Sequence, residues 1–272
     1  MIRLAVRAQA ADAELVLAAL LEIAPSGVEQ IDGEETVEFA VYGTPGELPE
    51  LEEGEADVGG VTVMVSGTEV PDDWAERWKR FHVPILVGDR LYVRPPWEEA
   101  SVRPGIIDLE IDPGRAFGTG SHSTTRLCLE LLLQLVDERG TDGSLCDLGC
   151  GSGVLAIAAA KLGFDQIEAL DFDPLAVDAT EGNARVNDVS LDIVRRANLR
   201  DEPSPPADVV LANLLRPLLL QVAERMQHRP EALILSGLLD HEADEVAAAF
   251  APLAERNRLS DRGWTALLLQ RA

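Results

Sequence analysis

From Ser123 to the end of the chain, short apolar runs alternate with amphipathic segments of helical period, and this order restricts the fold more than any other feature. The runs Leu145–Leu148, Ile167–Leu170, Leu191–Val194, Val209–Ala212 and Leu233–Leu235 read as strands. Ser123–Glu138, Val154–Leu162, Pro174–Val186, Pro217–Met226 and Glu242–Phe250 read as helices, the first burying Leu127, Leu131 and Leu135. Strands joined through helices lie parallel, so the expected fold class is α/β, a doubly wound Rossmann-like sheet with helices on both faces. Ligands of such sheets sit at the carboxyl ends of the strands. Trp264–Gln270 is expected as a final edge strand, with an antiparallel setting open to it.

The first seventy residues follow a different plan. Ile2–Val6 reads as a strand, and Asp12–Ile23 as a helix with Leu15, Val16, Ala19 and Leu20 on one face. Thr36–Val41 and Val61–Val65 are further extended runs between glycines, and the acidic, Gly/Pro-rich stretch Thr44–Gly60 reads as a loop. The expected unit is a small α+β domain over 1–70, ferredoxin-like with a degraded second helix. It carries no catalytic constellation, which leaves substrate recognition as its role. Pro71–Phe81 places Trp74, Trp78 and Phe81 at helical spacing behind the capping candidate Asp72, so a linker helix is expected over 71–82. Ile85–Val87, Leu91–Val93 and Ile106–Ile111 then lead as strands into the second domain, 83–272.

Composition excludes several classes of function. Of 272 residues 46% are hydrophobic and 26% charged, as in a folded globular protein. No apolar run is long enough to span a bilayer, and Met1–Ala10 holds two arginines and no apolar targeting core, so a cytoplasmic protein without membrane contact is expected. The net charge of −25 opposes direct nucleic-acid binding, which needs clustered cations. A basic protein partner accounts for it, and so, equally, does a GC-rich genome or a high-salt cytoplasm, because Lys79 and Lys161 are the only lysines. Cys128, Cys146 and Cys150 fit neither a disulfide framework nor a zinc-site spacing, and no metal is called for.

The sharpest chemical signal is Asp147-Leu148-Gly149-Cys150-Gly151-Ser152-Gly153, set directly after a strand and before a helix. Glycines let the chain turn tightly and let a ligand approach the backbone closer than a Cβ permits. The G-x-G-x-G spacing is neither the dinucleotide fingerprint nor a P-loop. Taken alone the motif could be a purely structural turn, but a second acid, Asp171, closes the following strand. A carboxylate there has lone pairs enough to accept both hydroxyls of a ribose. Asp173 is the cap of the helix beginning at Pro174.

These features resemble the class I S-adenosylmethionine-dependent methyltransferases, and within them the ribosomal protein L11 methyltransferases. The narrower resemblance rests on the run Asp112 to Thr125, on Ala212-Asn213-Leu214, on Asp72-Asp73-Trp74 with Trp78-Lys79, and on Pro96-Trp97-Glu98-Glu99. It extends from about Val70 to Gly237 and is looser before that. It implies S-adenosyl-L-methionine as cofactor, bound by Phe117, Gly118, Thr125, Gly149, Gly151, Asp171 and Asn213. It also implies ribosomal protein L11 as protein substrate, methylated on lysine side chains and the N-terminal amine by a monomer. Family members usually carry His-Pro-Thr-Thr where this chain has His122-Ser123-Thr124-Thr125, a departure that bears on the rigidity of the loop and not on its role. Ser123 or Thr124 is expected to cap the following helix, and a hydrogen-bonded loop histidine outweighs a general base as the role of His122.

Asn213 is the expected catalytic residue. Its amide oxygen, with a neighbouring backbone carbonyl, can accept from an amine and aim the nitrogen lone pair at the methyl group. Asn213-Leu214-Leu215-Arg216 lacks the aromatic that stacks planar acceptors in glutamine- and adenine-modifying enzymes, which agrees with an aliphatic amine. A capping role for Asn213 on the helix near Pro217 is compatible with this one. Two other readings stay open at this point: a lysine methyltransferase with a different target, and a catalytically silent scaffold that binds S-adenosylmethionine.

Overall fold

The structure is a computed structural model, and it describes residues 2–24, 28–33, 36–43, 48–49, 51, 54–69, 82–101, 103–113 and 122–271. They fall into two compact units, the second beginning at His82. The expected linker helix lies outside the described residues from 71 to 81.

In the N-terminal unit β1 (Ile2–Gln9), α1 (Ala13–Ile23), β2 (Glu29–Asp32), β3 (Thr36–Gly43), β4 (Gly54–Val58) and β5 (Val61–Glu69) form one antiparallel sheet of order β2-β3-β1-β5-β4 and, among the described residues, one α-helix. Leu4, Val6 and Ala8 alternate along β1 into a core shared with Val16, Leu20, Val37, Phe39, Val63 and Val65. Fully burying each of the larger side chains contributes roughly 1.5–3 kcal/mol. The stretch read as a loop contains a strand, β4, and among the described residues no second helix follows β3. The alternation in β4 is present but faint: Glu55 and Asp57 face solvent, and the inward positions hold only Gly54, Ala56 and Val58.

In the second unit β6 (Ile85–Val87), β7 (Leu91–Arg94) and β8 (Ile107–Glu110) form a small sheet with β7 and β8 parallel. The main sheet has seven strands: β9 (Ser144–Leu148), β10 (Gln166–Asp171), β11 (Ile193–Arg196), β12 (Val209–Asn213), β13 (Ala232–Leu239), β14 (Ala254–Asp261) and β15 (Trp264–Gln270), in the order β11-β10-β9-β12-β13-β15-β14. The first five of that order are parallel, and β15 and β14 are antiparallel additions. The helices are α2 (Ser123–Arg139), α3 (Val154–Leu162), α4 (Pro174–Val186), α5 (Arg216–Arg225) and α6 (Ala243–Ala249). One apolar core takes residues from α2, α3 and the small sheet, and a second takes Leu219, Val222, Val246 and Phe250 from α5 and its surroundings. The doubly wound α/β reading therefore holds.

Two expectations for this sheet need correction. Trp264–Gln270 is not the edge, because β14 pairs outside it. The apolar alternation that would betray β14 is interrupted by a register shift between Glu255 and Asn257, and most of its side chains are polar. The third parallel strand also begins at Ile193, later than Leu191. No helix among the described residues is long and apolar enough to cross a membrane.

Candidate active site

Strand order reverses beside β9: the chain winds outward through β10 to β11, then crosses to β12 and β13 on the other side. Such a reversal opens a crevice outside the carboxyl ends of the two central strands. Leu148 pairs with Leu170 on one flank and with Ala212 on the other. The next residues of the three strands, Gly149, Asp171 and Asn213, therefore emerge together at the rim of that crevice.

The turn after β9 is fixed by backbone and carboxylate bonds. The amides of Gly149 and Cys150 both donate to the Leu170 carbonyl, at 2.7 and 2.9 Å. Gly149 has φ +75°, a conformation that side-chain-bearing residues rarely adopt, and a Cβ on it would meet Leu214 Cδ2 at 2.3 Å and push that side chain aside. Asp171 accepts from the Gly151 amide through Oδ2 and from the Asp173 amide through Oδ1, each at 2.9 Å. A carboxylate oxygen can accept more than one hydrogen bond, so a ligand hydroxyl can join these backbone donors. Burial raises the Asp171 carboxyl above its ordinary value, against these backbone bonds, which lower it.

Asp147 lies beneath the turn and is 1% exposed. Its Oδ2 accepts from the Ala156 amide at 3.1 Å, and its Oδ1 has no hydrogen-bond partner among the described residues. Desolvation pushes this carboxyl up to about 7. Burial likewise pushes the thiols of Cys128, Cys146 and Cys150 up, leaving them poor nucleophiles at neutral pH.

Thr125, fully buried in the first turn of α2, meets Asn213: the Asn213 amide nitrogen donates to Thr125 Oγ1 at 3.4 Å. Asn213 Oδ1 is buried and has no partner among the described residues. A buried amide oxygen without a donor costs free energy unless a ligand satisfies it. The alternative role for Asn213 is not taken up, since Leu215 occupies the N-cap of α5 and receives no side-chain cap. Phe117 and Gly118 lie outside the described residues. The structure thus brings together Thr125, Gly149, Gly151, Asp171 and Asn213 of the residues expected from sequence.

The cap of α2 is His122, not Ser123 or Thr124. His122 Nδ1 accepts from the Thr124 amide at 3.3 Å, and its ring stacks edge-on against Trp264 with centroids 5.1 Å apart. Ser123 instead donates to Asp261 Oδ2 at 2.6 Å, which draws its hydroxyl away from the helix end. Burial lowers the His122 pKa. Asp173 caps α4 as expected, accepting from the Leu175 amide at 2.9 Å.

Sequence reasoning missed a buried polar ladder on α4. Thr180 donates to the Gly151 carbonyl at 3.0 Å and Asn183 to the Ser152 carbonyl at 2.9 Å. Asn183 also accepts from the Asp112 amide, and just beyond α4 Asn187 accepts from the Glu110 amide, both at 3.0 Å. The ladder ties the glycine turn to β8 and to Asp112 just beyond it. Its only trace in the sequence is the helical spacing of three polar residues on an otherwise mixed helix.

A family model described as Ribosomal protein L11 methyltransferase (PrmA) matches residues 2–272. The ribosomal protein L11 methyltransferase of Desulfitobacterium hafniense is 39% identical over 212 residues, covering 75% of this chain and 67% of that protein. That of Clostridium botulinum is 35% identical over 219 residues, covering 79% and 69%. Among solved structures, a ribosomal protein L11 methylase from Lactobacillus delbrueckii subsp. bulgaricus superposes with a TM-score of 0.60 at 28% identity, over 69% of this chain and 98% of that one.

Proposed function

This chain belongs to the ribosomal protein L11 methyltransferase family, and from that premise we propose that it transfers methyl groups from S-adenosylmethionine to lysine side chains and the N-terminal amine of ribosomal protein L11. The observation that carries the reading is the buried, unpartnered Oδ1 of Asn213 at the rim of the crevice, beside the glycine turn. An acceptor in that place serves a donor N–H.

The residues present fit the cofactor. Asp171 is a carboxylate able to accept from ribose hydroxyls beside its backbone donors, and the side-chain-free backbone at Gly149 and Gly151 admits the nucleoside edge closely. Thr125 holds the Asn213 amide, and Phe117 and Gly118, which lie outside the described residues, are proposed from the resemblance to complete the cofactor site. When bound, S-adenosylmethionine would supply an activated methyl group, carried on a cationic sulfur, to the lone pair of a neutral amine.

The remaining work is positioning. Asn213 Oδ1 and the Leu214 carbonyl accept the N–H bonds of a neutral amine and leave its lone pair facing the reacting carbon. A lysine of ordinary pKa, about 10.4, must first lose its proton to solvent, and partial burial in the crevice lowers that pKa. Residues 1–70 select the protein substrate, the 71–82 segment links the two parts, and residues 83–272 carry the transfer, in the cytoplasm where ribosomal proteins are made. Mass spectrometry of L11 from a strain lacking this chain tests the reading: the amines should be unmethylated there and methylated in the parent, and methylated L11 in the deletion strain would overturn it.

A further inference from the structure

β13 leaves regular pairing with β15 between Leu235 and Leu238, and inside that irregularity Gly237 has φ +83°. Its Cα lies against the peptide that follows Asn213. A Cβ at Gly237 would come 2.4 Å from the Leu214 carbonyl oxygen, 2.7 Å from its carbon and 3.1 Å from its nitrogen. All three are backbone atoms, so no rotamer change can relieve the overlap. The peptide is held from other directions as well. The Leu214 amide donates to the Ser236 carbonyl at 3.0 Å, and the Leu214 side chain lies over Gly149. The Leu214 carbonyl accepts no hydrogen bond among the described residues.

We propose that Gly237 is a positioning residue for methyl transfer: by presenting a bare backbone to the Leu214 peptide, it sets the direction of the Leu214 carbonyl and of Asn213, the two acceptors that grip the incoming amine. The inference rests on the reading that this pair receives the amine. Gly237 touches neither substrate nor cofactor, and it acts through a displacement of the Asn213–Leu214 turn. A misplacement of about 1 Å at a reacting centre costs up to about a hundred-fold in rate, so Gly237→Ala should lower kcat by roughly ten- to a hundred-fold at saturating S-adenosylmethionine. S-adenosylmethionine affinity should fall by less than kcat, because Asp171 is not displaced, and turnover is compared at saturation because Asn213 is also expected to touch the cofactor.

Gly263 supplies the control. It has the same φ, +83°, but nothing lies within 4 Å of a Cβ placed on it. Gly263→Ala shares the backbone strain without the overlap and should keep the wild-type kcat. Leu214→Gly loosens the same peptide without adding bulk and should also lower kcat, which keeps the inference testable should Gly237→Ala fold poorly. The experiment is steady-state methylation of purified L11 by the four full-length proteins, with S-adenosylmethionine affinity measured by calorimetry. A fall in kcat for Gly237→Ala and Leu214→Gly but not for Gly263→Ala is the expected result. Wild-type kcat in either Gly237→Ala or Leu214→Gly would overturn this inference alone, and absence of transfer by the wild-type protein would overturn the functional reading and this inference with it.

Discussion

The amide nitrogen of Asn213 donates to Thr125 Oγ1 at 3.4 Å, and its Oδ1 is left buried without a partner among the described residues. One residue thus binds the first turn of α2 with one end of its amide, and the other end is the acceptor proposed to receive the amine. Asn213→Ala should lower kcat at saturating S-adenosylmethionine by about thirty- to a hundred-fold, on the order of 2–3 kcal/mol for one well-placed acceptor. Raising the pH should restore little of the loss, because the oxygen orients an amine that is already neutral. Single-turnover rates across pH check this, and near-wild-type rates would remove Asn213 from the reaction.

Asp171 should govern affinity and not turnover. Asp171→Ala removes the acceptors for two ligand hydroxyls, each hydrogen bond being worth about 0.5–1.5 kcal/mol, so S-adenosylmethionine should bind about ten-fold or more weakly. Calorimetric titration reads the change directly. Unchanged affinity would take the ribose away from Asp171.

Asp147 predicts a pH dependence of stability. Its carboxyl is raised from 3.8 to about 7 by burial, so the folded state binds its proton more tightly than the unfolded state does. Stability from this group is complete below about pH 4 and is lost as pH rises to about 7, a loss of a few kcal/mol at about 1.4 kcal/mol for each ten-fold difference in proton affinity. Asp147→Asn keeps an oxygen for the Ala156 amide and carries no charge. Urea denaturation without cofactor should find the variant more stable than wild type at pH 8, with the gap closing toward pH 4. A constant difference across that range would contradict the assignment.

The parts of the fold that announce themselves in the sequence are those whose local chemistry and tertiary role agree. Val154–Leu162 and Pro174–Val186 have the ends read from sequence, the first between Gly153 and Gly163 and the second behind the Asp173-Pro174 cap. β4 and β14 hide because edge strands bury little, so their alternation is carried by small or polar residues. Gly149, Asp171 and Asn213 can be read as site residues because strand ends at a switch point collect ligands in any doubly wound sheet. The cap on α2 cannot be read in this way: the choice of His122 depends on Trp264 and Asp261, which are distant in the chain. The contact of Gly237 with Leu214 and the unpartnered oxygen of Asn213 are equally tertiary facts, invisible to any window of sequence.

The two compact units predict a division of labour. Removal of residues 1–70 should leave S-adenosylmethionine binding near the value of the whole chain, because Thr125, Gly149, Gly151, Asp171 and Asn213, the described residues proposed to hold it, lie in the second unit. Methylation of intact L11 should be lost. Calorimetry and a filter assay with labelled cofactor separate the two functions, and full activity of the shortened chain on L11 would place recognition elsewhere.

The most direct test of the whole account is peptide-resolved mass spectrometry of purified L11 after incubation with this protein and S-adenosylmethionine, beside a parallel incubation with Asn213→Ala. The account predicts methyl groups on lysine side chains and on the N-terminal amine with the wild-type protein, and a strongly reduced yield with the variant. L11 that stays unmodified while the wild-type protein binds S-adenosylmethionine, or that carries methyl groups on atoms other than amine nitrogens, would contradict it.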